Sequence, residues 1–169
     1  IDPETFLPVQ FTKRLSEGRY RCDETTVFDH ANGVAQYTNN RKNWTKEYAI
    51  DPDTRDLVSF MYSMRTVDLP VGSDVDVRVM ADEKLYDLTI RAEKEKVVKL
   101  PAYGKIDTVQ LEPEAAFQGL FVRKGKMTLW VSEDERRVIA KASIKVPVAH
   151  VNLVLDKVTG PGDDDWIVV

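Results

Sequence analysis

The chain has 169 residues, of which 43% are hydrophobic and 31% charged, and its formal net charge is −4. That length gives a single-domain prior and allows about 70% of the unfolded surface to be buried. The acidic balance argues against a nucleic-acid partner, because Lys13-Arg14, Arg41-Lys42 and Arg136-Arg137 are scattered among acidic neighbours and form no basic stripe. A single cysteine, Cys22, excludes an internal disulfide and a cysteine-based metal cluster.

No apolar run approaches the roughly 18 residues of a membrane helix, so the chain is not expected to span a membrane by helices. It opens on Ile1-Asp2-Pro3 without Met and without a visible signal peptide, which reads as a fragment or processed product.

Most of the chain reads as strands between turn signals. Leu7, Val9, Phe11 and Leu15 mark the first. Tyr20, Cys22, Thr26 and Phe28 share one parity of the second, which ends in a turn at Ala31-Asn32-Gly33, where Asn-Gly tolerates positive φ. Val34 to Thr38 and Trp44 to Ile50 follow as a hairpin. From Thr54 to Thr66 the apolar spacing changes to Leu57, Phe60, Met61 and Met64, the stripe of an amphipathic helix. Asp51 or Asp53 is placed to cap it, and Asp56 suits its first turn.

Strands resume after Pro70. Val75 to Val79 turns at Asp82-Glu83-Lys84 into Tyr86 to Ala92, a strand that extends toward Leu100. Pro101-Ala102-Tyr103-Gly104 is a turn, and Ile106 to Leu111 is the next strand. Met127 to Val131 and Val138 to Val146 form a hairpin around Glu133-Asp134-Glu135-Arg136-Arg137. Before Pro147 the apolar residues are even-numbered (Val138, Ala140, Ala142, Ile144, Val146); after it they are odd (Ala149, Val151, Leu153, Leu155). A one-residue slip flips a strand's faces, so this predicts a bend or bulge at Pro147-Val148 that keeps both halves pointing inward.

The expected fold is all-β with one helix: a strongly curved antiparallel sheet or partly open β-barrel carrying one amphipathic helix, as a single domain over 1–159 with a tail over 160–169.

Candidate chemistry is sparse. His30 and His150 have no Cys, His or carboxylate at metal-ligand spacing, so neither a metal nor a cofactor is expected. His30, just before a turn, reads as exposed. Cys22 lies on the apolar parity of its strand and reads as core. Ser59, Ser132 and Ser143 lack a nucleophile elbow, so no catalytic residue is assigned. The 133–137 run reads as a wet, charged turn that pins register. Phe117 and Phe121, in an apolar Gly-containing stretch between strands, suggest a rim or lid. With Met61, Tyr62, Met64 and Trp130 they are the candidate ligand-binding residues.

Several segments carry a family resemblance. They are a Pro after an apolar residue at Leu7-Pro8, then a basic strand and Phe-Asp-x-x-Asn-Gly over 28–33; a Ser-x-x-Tyr-x-x-Arg-like helix within 53–65 (here Ser59, Tyr62, Arg65); and Pro101-Ala102-Tyr103-Gly104-Lys105-Ile106-Asp107-Thr108 before Glu112-Pro113. The fullest is Lys-Gly-Lys-x-Thr-x-Trp-x-Ser-x-Asp-Glu-Arg-Arg over 124–137, with Ile-x-Val-Pro-Val over 144–148. From about Leu7 to about Val158 the chain resembles the bacterial exported proteins grouped as domain of unknown function 3108. Tyr103 departs from the pattern as an inserted residue, as does the acidic tail after Gly160. Family members carry further strands upstream.

The resemblance implies a periplasmic, signal-exported, strand-rich protein of the Gram-negative envelope. It brings no catalytic residues. The leading expectation is a non-enzymatic protein that binds a lipid or other amphiphilic ligand in a curved β-sheet. The alternatives are an envelope scaffolding module that engages a protein partner through exposed sheet edges, and a carboxylate-dependent hydrolase of an envelope polymer. Missing upstream strands would leave the first strand as an exposed edge open to self-association, with the apolar Trp166-Ile167-Val168-Val169 as one strand that could cover it.

Overall fold

The structure, a computed structural model, describes residues 1–115, 126–146 and 149–160. Ten strands and one helix follow in order: β1 Gln10–Glu17, β2 Tyr20–Asp29, β3 Val34–Asn39, β4 Trp44–Ala49, α1 Leu57–Ser63, β5 Asp74–Ala81, β6 Lys84–Leu100, β7 Gly104–Ala115, β8 Lys126–Ser132, β9 Ile139–Val146 and β10 Ala149–Val154. The described residues are thus β-rich with one helix. The strands divide between two antiparallel sheets, β1-β2-β3-β4 and β10-β9-β8-β7-β6-β5, and among the described residues neither closes on itself. Contacts group the chain into two compact units: Ile1–Tyr62 with Val77–Asp87, and Ser63–Asp76 with Leu88–Val169.

In the first unit the period of two sorts the side chains. The register places Phe11, Thr26, Tyr37 and Lys46 in one cross-strand row and Phe28, Ala35 and Tyr48 in another, all on one face. That face holds a core of Phe28, Ala35, Ile50 and Met80, with Phe11 and Tyr48 against it. The opposite face is polar, with Asn40 Nδ2 donating to Asp23 at 2.7 Å and the Thr38 and Thr45 hydroxyls 3.1 Å apart.

The Asn-Gly turn forms as its residues demand. The Asp29 carboxylate accepts from the Asn32 amide and side chain at 3.0 and 2.7 Å, and Gly33 takes φ 67°. His30 differs from its exposed reading. It is half-buried, donates from Nε2 to the Pro8 carbonyl at 2.9 Å and stacks on Phe28, because the turn folds it back over its own strand.

The β5–β6 turn is made without glycine. Asp82 and Glu83 take φ 46° and 63°, and their carboxylates are held by Lys13 Nζ at 2.7 Å and the Tyr48 hydroxyl at 3.0 Å. Burial and this bond to Glu83 push the Tyr48 pKa up to about 12.

The helix is capped by Asp56 rather than by Asp51 or Asp53. Asp56 Oδ1 accepts from the Ser59 amide at 2.6 Å, while the Asp56 amide donates to Ser59 Oγ at 2.9 Å, a reciprocal capping box. Capping turns both residues inward. The buried stripe is therefore Asp56, Ser59, Phe60, Ser63 and Met64, whereas Leu57 and Met61 are only half-buried.

In the second unit two bulges decide which residues meet. In β6 the pairing with β7 slips between Ala92 and Lys94. Leu88, Ile90 and Ala92 then share a face with Leu111, while the equally even-numbered Val98 and Leu100 lie on the other. In β9 the register slips where Trp130 pairs with Lys141 and Val131 with Ile139. Ala142 stays on the face of Leu129, and Ala140 turns to join Val98, Leu100, Tyr103, Ile106 and Trp130 in a buried cluster flanked by Val138, Leu155 and Val158.

This corrects the reading of Pro147, which with Val148 lies outside the described residues. On its two sides the chain runs as antiparallel neighbours, with Val151 opposite Ile144 and Leu153 opposite Ala142. The halves share a face, as the parity required, but as two strands. Among the described residues β10 is the sheet's last strand, and Val151 and Leu153 are 45% and 54% exposed rather than buried.

Phe60 is fully buried. Phe60→Ala should lower unfolding stability by about 3–5 kcal/mol in denaturant titration. A loss below about 1 kcal/mol would show that the site collapses without cost.

Candidate functional site

The second unit holds a cleft of about 110 Å³. Met64, Leu69, Pro70, Val109, Leu111 and Val131 give it apolar walls, and Asp68, Ser132, Glu133 and Arg137 give it a polar rim. The sheet supplies the floor by alternation. Val109 pairs with Val131 and Leu111 with Leu129, so these side chains stand on one face. The wall from Met64 to Pro70 belongs to the irregular segment between α1 and β5.

The rim is built by the charged turn between β8 and β9. Ser132 Oγ donates to the Asp134 carboxylate and accepts from the Val138 amide at 2.8 Å. Arg136 Nε donates to Asp134 at 3.1 Å, and the Arg136 carbonyl accepts from Arg65 Nε and Nη2 at 3.2 and 3.0 Å. Arg137 adopts φ 45°, uncommon for a side chain of its size, and its guanidinium donates to the Val67 carbonyl and the Asp68 carboxylate. The run keeps the wet tip expected of it, with Glu133 and Glu135 exposed, and it is also a latch tying the β8–β9 connection to residues 65–68.

Glu133 is the electrostatic feature of the rim. Desolvation, then the neighbouring carboxylates Glu95 and Asp107, hold its carboxyl above the ordinary range. The arrangement suits a ligand that brings an apolar end and a hydrogen-bond donor or cation. Among the described residues no group of three His, Cys, Asp or Glu side chains could hold a metal ion.

Of the residues singled out from the sequence, Met64 lines the cleft. Met61 is half-buried on α1, and Tyr62 is exposed with its ring 6.5 Å from that of Phe6. Trp130 is buried on the face opposite Leu129 and Val131, with the Lys141 and Lys96 ammonium groups 4.8 and 5.7 Å from its ring. Phe117 and Phe121 lie outside the described residues. Sequence reasoning missed Val67, Asp68, Leu69, Pro70 and Arg137. The one signal for them was Asp-Leu-Pro a few residues past a helix, a local pattern silent about a partner 69 residues away.

A carboxyl that binds its proton more tightly when folded destabilises the fold as pH rises through the carboxylate range. Glu133→Gln should therefore raise the Tm at pH 7 and leave it unchanged near pH 3, where the Glu133 carboxyl is protonated in the folded and the unfolded chain alike (unperturbed Glu about 4.3). Thermal melts at the two pH values check this.

Comparison with known proteins then gives one match. No curated protein and no solved structure matches the chain. A family model does, over residues 1–156, and its description is Protein of unknown function (DUF3108). With nearly the whole chain covered, from the first strand through β10, this protein belongs to the DUF3108 family.

Proposed function

We propose that this chain is a non-enzymatic binding module of the Gram-negative envelope, located in the periplasm, that takes the apolar end of an amphiphilic ligand into the cleft over β7 and β8. The observation that carries this reading is the cleft itself, with apolar walls, a rim carrying Glu133 and Asp68, and an Arg137 already engaged by Asp68 and the Val67 carbonyl. Its volume of about 110 Å³ sets the scale. An enclosed apolar cavity of about 150 Å³ accommodates benzene, so this cleft takes a short branched or unbranched apolar end and leaves the rest of the ligand outside. The bulges in β6 and β9 bend their strands locally, which supports a curved sheet beneath the ligand. The periplasmic assignment rests on the family resemblance, and fractionation of cells producing the full-length protein tests it.

A protein partner offering one apolar side chain beside a basic residue has the same chemistry at the cleft, and the binding test separates the two sources. Purified protein is incubated with envelope lipid extract and, separately, with envelope protein extract, then analysed by native mass spectrometry. The expected result is a retained lipid that is lost from Val131→Trp, a substitution that fills the cleft from its floor. Retention of a protein alone, lost from the same variant, would move the reading to an interaction module. Retention of nothing, or equal retention by Val131→Trp, would overturn the assignment of the cleft.

A further inference from the structure

Among the described residues four strands end the two sheets: β1, β4, β5 and β10. Three of them carry the charges that discourage edge pairing: Lys13, Arg14 and Glu17 on β1, Lys46 and Glu47 on β4, and Asp74, Asp76 and Arg78 on β5. Strand β10, Ala149-His150-Val151-Asn152-Leu153-Val154, has no acidic residue, no Lys or Arg and no Pro. Val151, Leu153 and Val154 are 45%, 54% and 44% exposed, and β9 is its only strand neighbour among the described residues.

The backbone of this edge has a definite pattern. The Leu155 amide donates to the Ala140 carbonyl at 3.0 Å. Antiparallel ladders alternate, so the odd-numbered residues Val151 and Leu153 aim their amide and carbonyl groups at β9. The groups of His150, Asn152 and Val154 point the other way, off the sheet. This row is symmetric about Asn152.

We propose that β10 is a self-complementary edge that pairs antiparallel with β10 of a second copy of this chain about a two-fold axis through Asn152, joining two six-stranded sheets into one. In that register Asn152 faces Asn152, and His150 faces Val154 of the second copy. Each of these pairs exchanges both backbone hydrogen bonds. An axis perpendicular to the sheet keeps each face on its own side. Val151 then lies opposite Leu153 of the second copy, and Leu153 opposite its Val151, so the exposed side chains of both copies merge into one apolar patch beside the half-buried Ile144. Centring the axis on Val151 or Leu153 instead leaves an outward pair unmatched within 149–154. β10 carries no Asp, Glu, Lys or Arg, and His150 faces Val154 of the second copy, so no like charges meet across the axis. The second copy is favoured over an unrelated strand because the edge supplies its own complement in both backbone and side chains.

The test uses the whole chain. Sedimentation equilibrium should find a monomer–dimer equilibrium. Asn152→Pro removes the central outward amide while leaving every bond to β9 in place, an edge position where proline is tolerated. It should weaken dimerisation at least tenfold with an unchanged circular dichroism spectrum. Val151→Lys, which sets a charge against Leu153 of the second copy, should do the same and carries the test if the proline variant does not fold. Hydrogen exchange gives a second readout: the amides of His150, Asn152 and Val154 should gain protection as concentration rises, whereas that of Leu155 should not change. A chain that stays monomeric at millimolar concentration, or a dimer that neither substitution weakens, would overturn the proposal.

Discussion

One strand serves two cores, and the second unit is organised around how it does so. Strand β6 presents apolar residues at even positions both before and after Glu93, at Leu88, Ile90 and Ala92 and again at Val98 and Leu100. A regular strand would put all five on one face. The extra residue at the Ala92/Lys94 slip turns the later pair over, so all five are buried although they face opposite sides of the sheet. The β9 slip repeats the device on the other side of β7 and β8. It sends Ala140 to the Trp130 side and keeps Ala142 beside Leu129. With apolar residues committed on both faces, a sheet one layer thick acquires two sets of packed side chains, and the cleft forms on one of them.

The same bulge in β9 lies immediately beyond the turn that builds the cleft's rim. Between Ser132 and Val138 the chain must reverse and re-enter the sheet with its register displaced. The Ser132 hydroxyl bridges the Asp134 carboxylate and the Val138 amide across that reversal. Arg137, in a left-handed conformation that costs a non-glycine residue about 1 kcal/mol, is held by hydrogen bonds to Val67 and Asp68. An Arg in such a turn carries both a backbone and a side-chain constraint. The charged run therefore works as a clasp, and its Glu133 and Arg137 contribute to the cleft's polar rim.

The first unit shows the opposite economy, with a regular sheet and polar groups placed where the regularity would otherwise leave them stranded. Lys13 lies on the apolar face of β1, and it reaches Asp82 at the turn of β5 and β6. That hydrogen bond, offset by desolvation, raises the Lys13 pKa. Tyr48 does the same toward Glu83. Two carboxylates at a glycine-free primed turn thus satisfy two polar tips on the face that holds the core, a reason for acidic residues there in place of the usual Asn-Gly.

The strands, the Asn32-Gly33 turn, the helix and its buried Phe60 and Met64 were legible in the amino-acid order. They rest on short-range physics: a period of two or 3.6, a positive φ and a cap within three residues. The family could be read there too, because its turn and strand motifs are contiguous. What escaped was everything set by pairing. An even-numbered run that continues through Glu93 looks the same whether or not a bulge intervenes. A parity change at Pro147 fits one bent strand as well as two antiparallel ones. Asp56, read as a dipole-favoured first-turn residue, proved to be the cap once its side chain met Ser59. Arg137 found Asp68 only because β8, β9 and the segment after α1 converge, and no local pattern encodes a contact across that separation. Local order thus determined which elements form and which face of each is apolar. The tertiary structure alone decided where the faces switch, which strand is left at the edge, and which side chains enclose the cleft, because those outcomes depend on register between strands rather than on the residues within one.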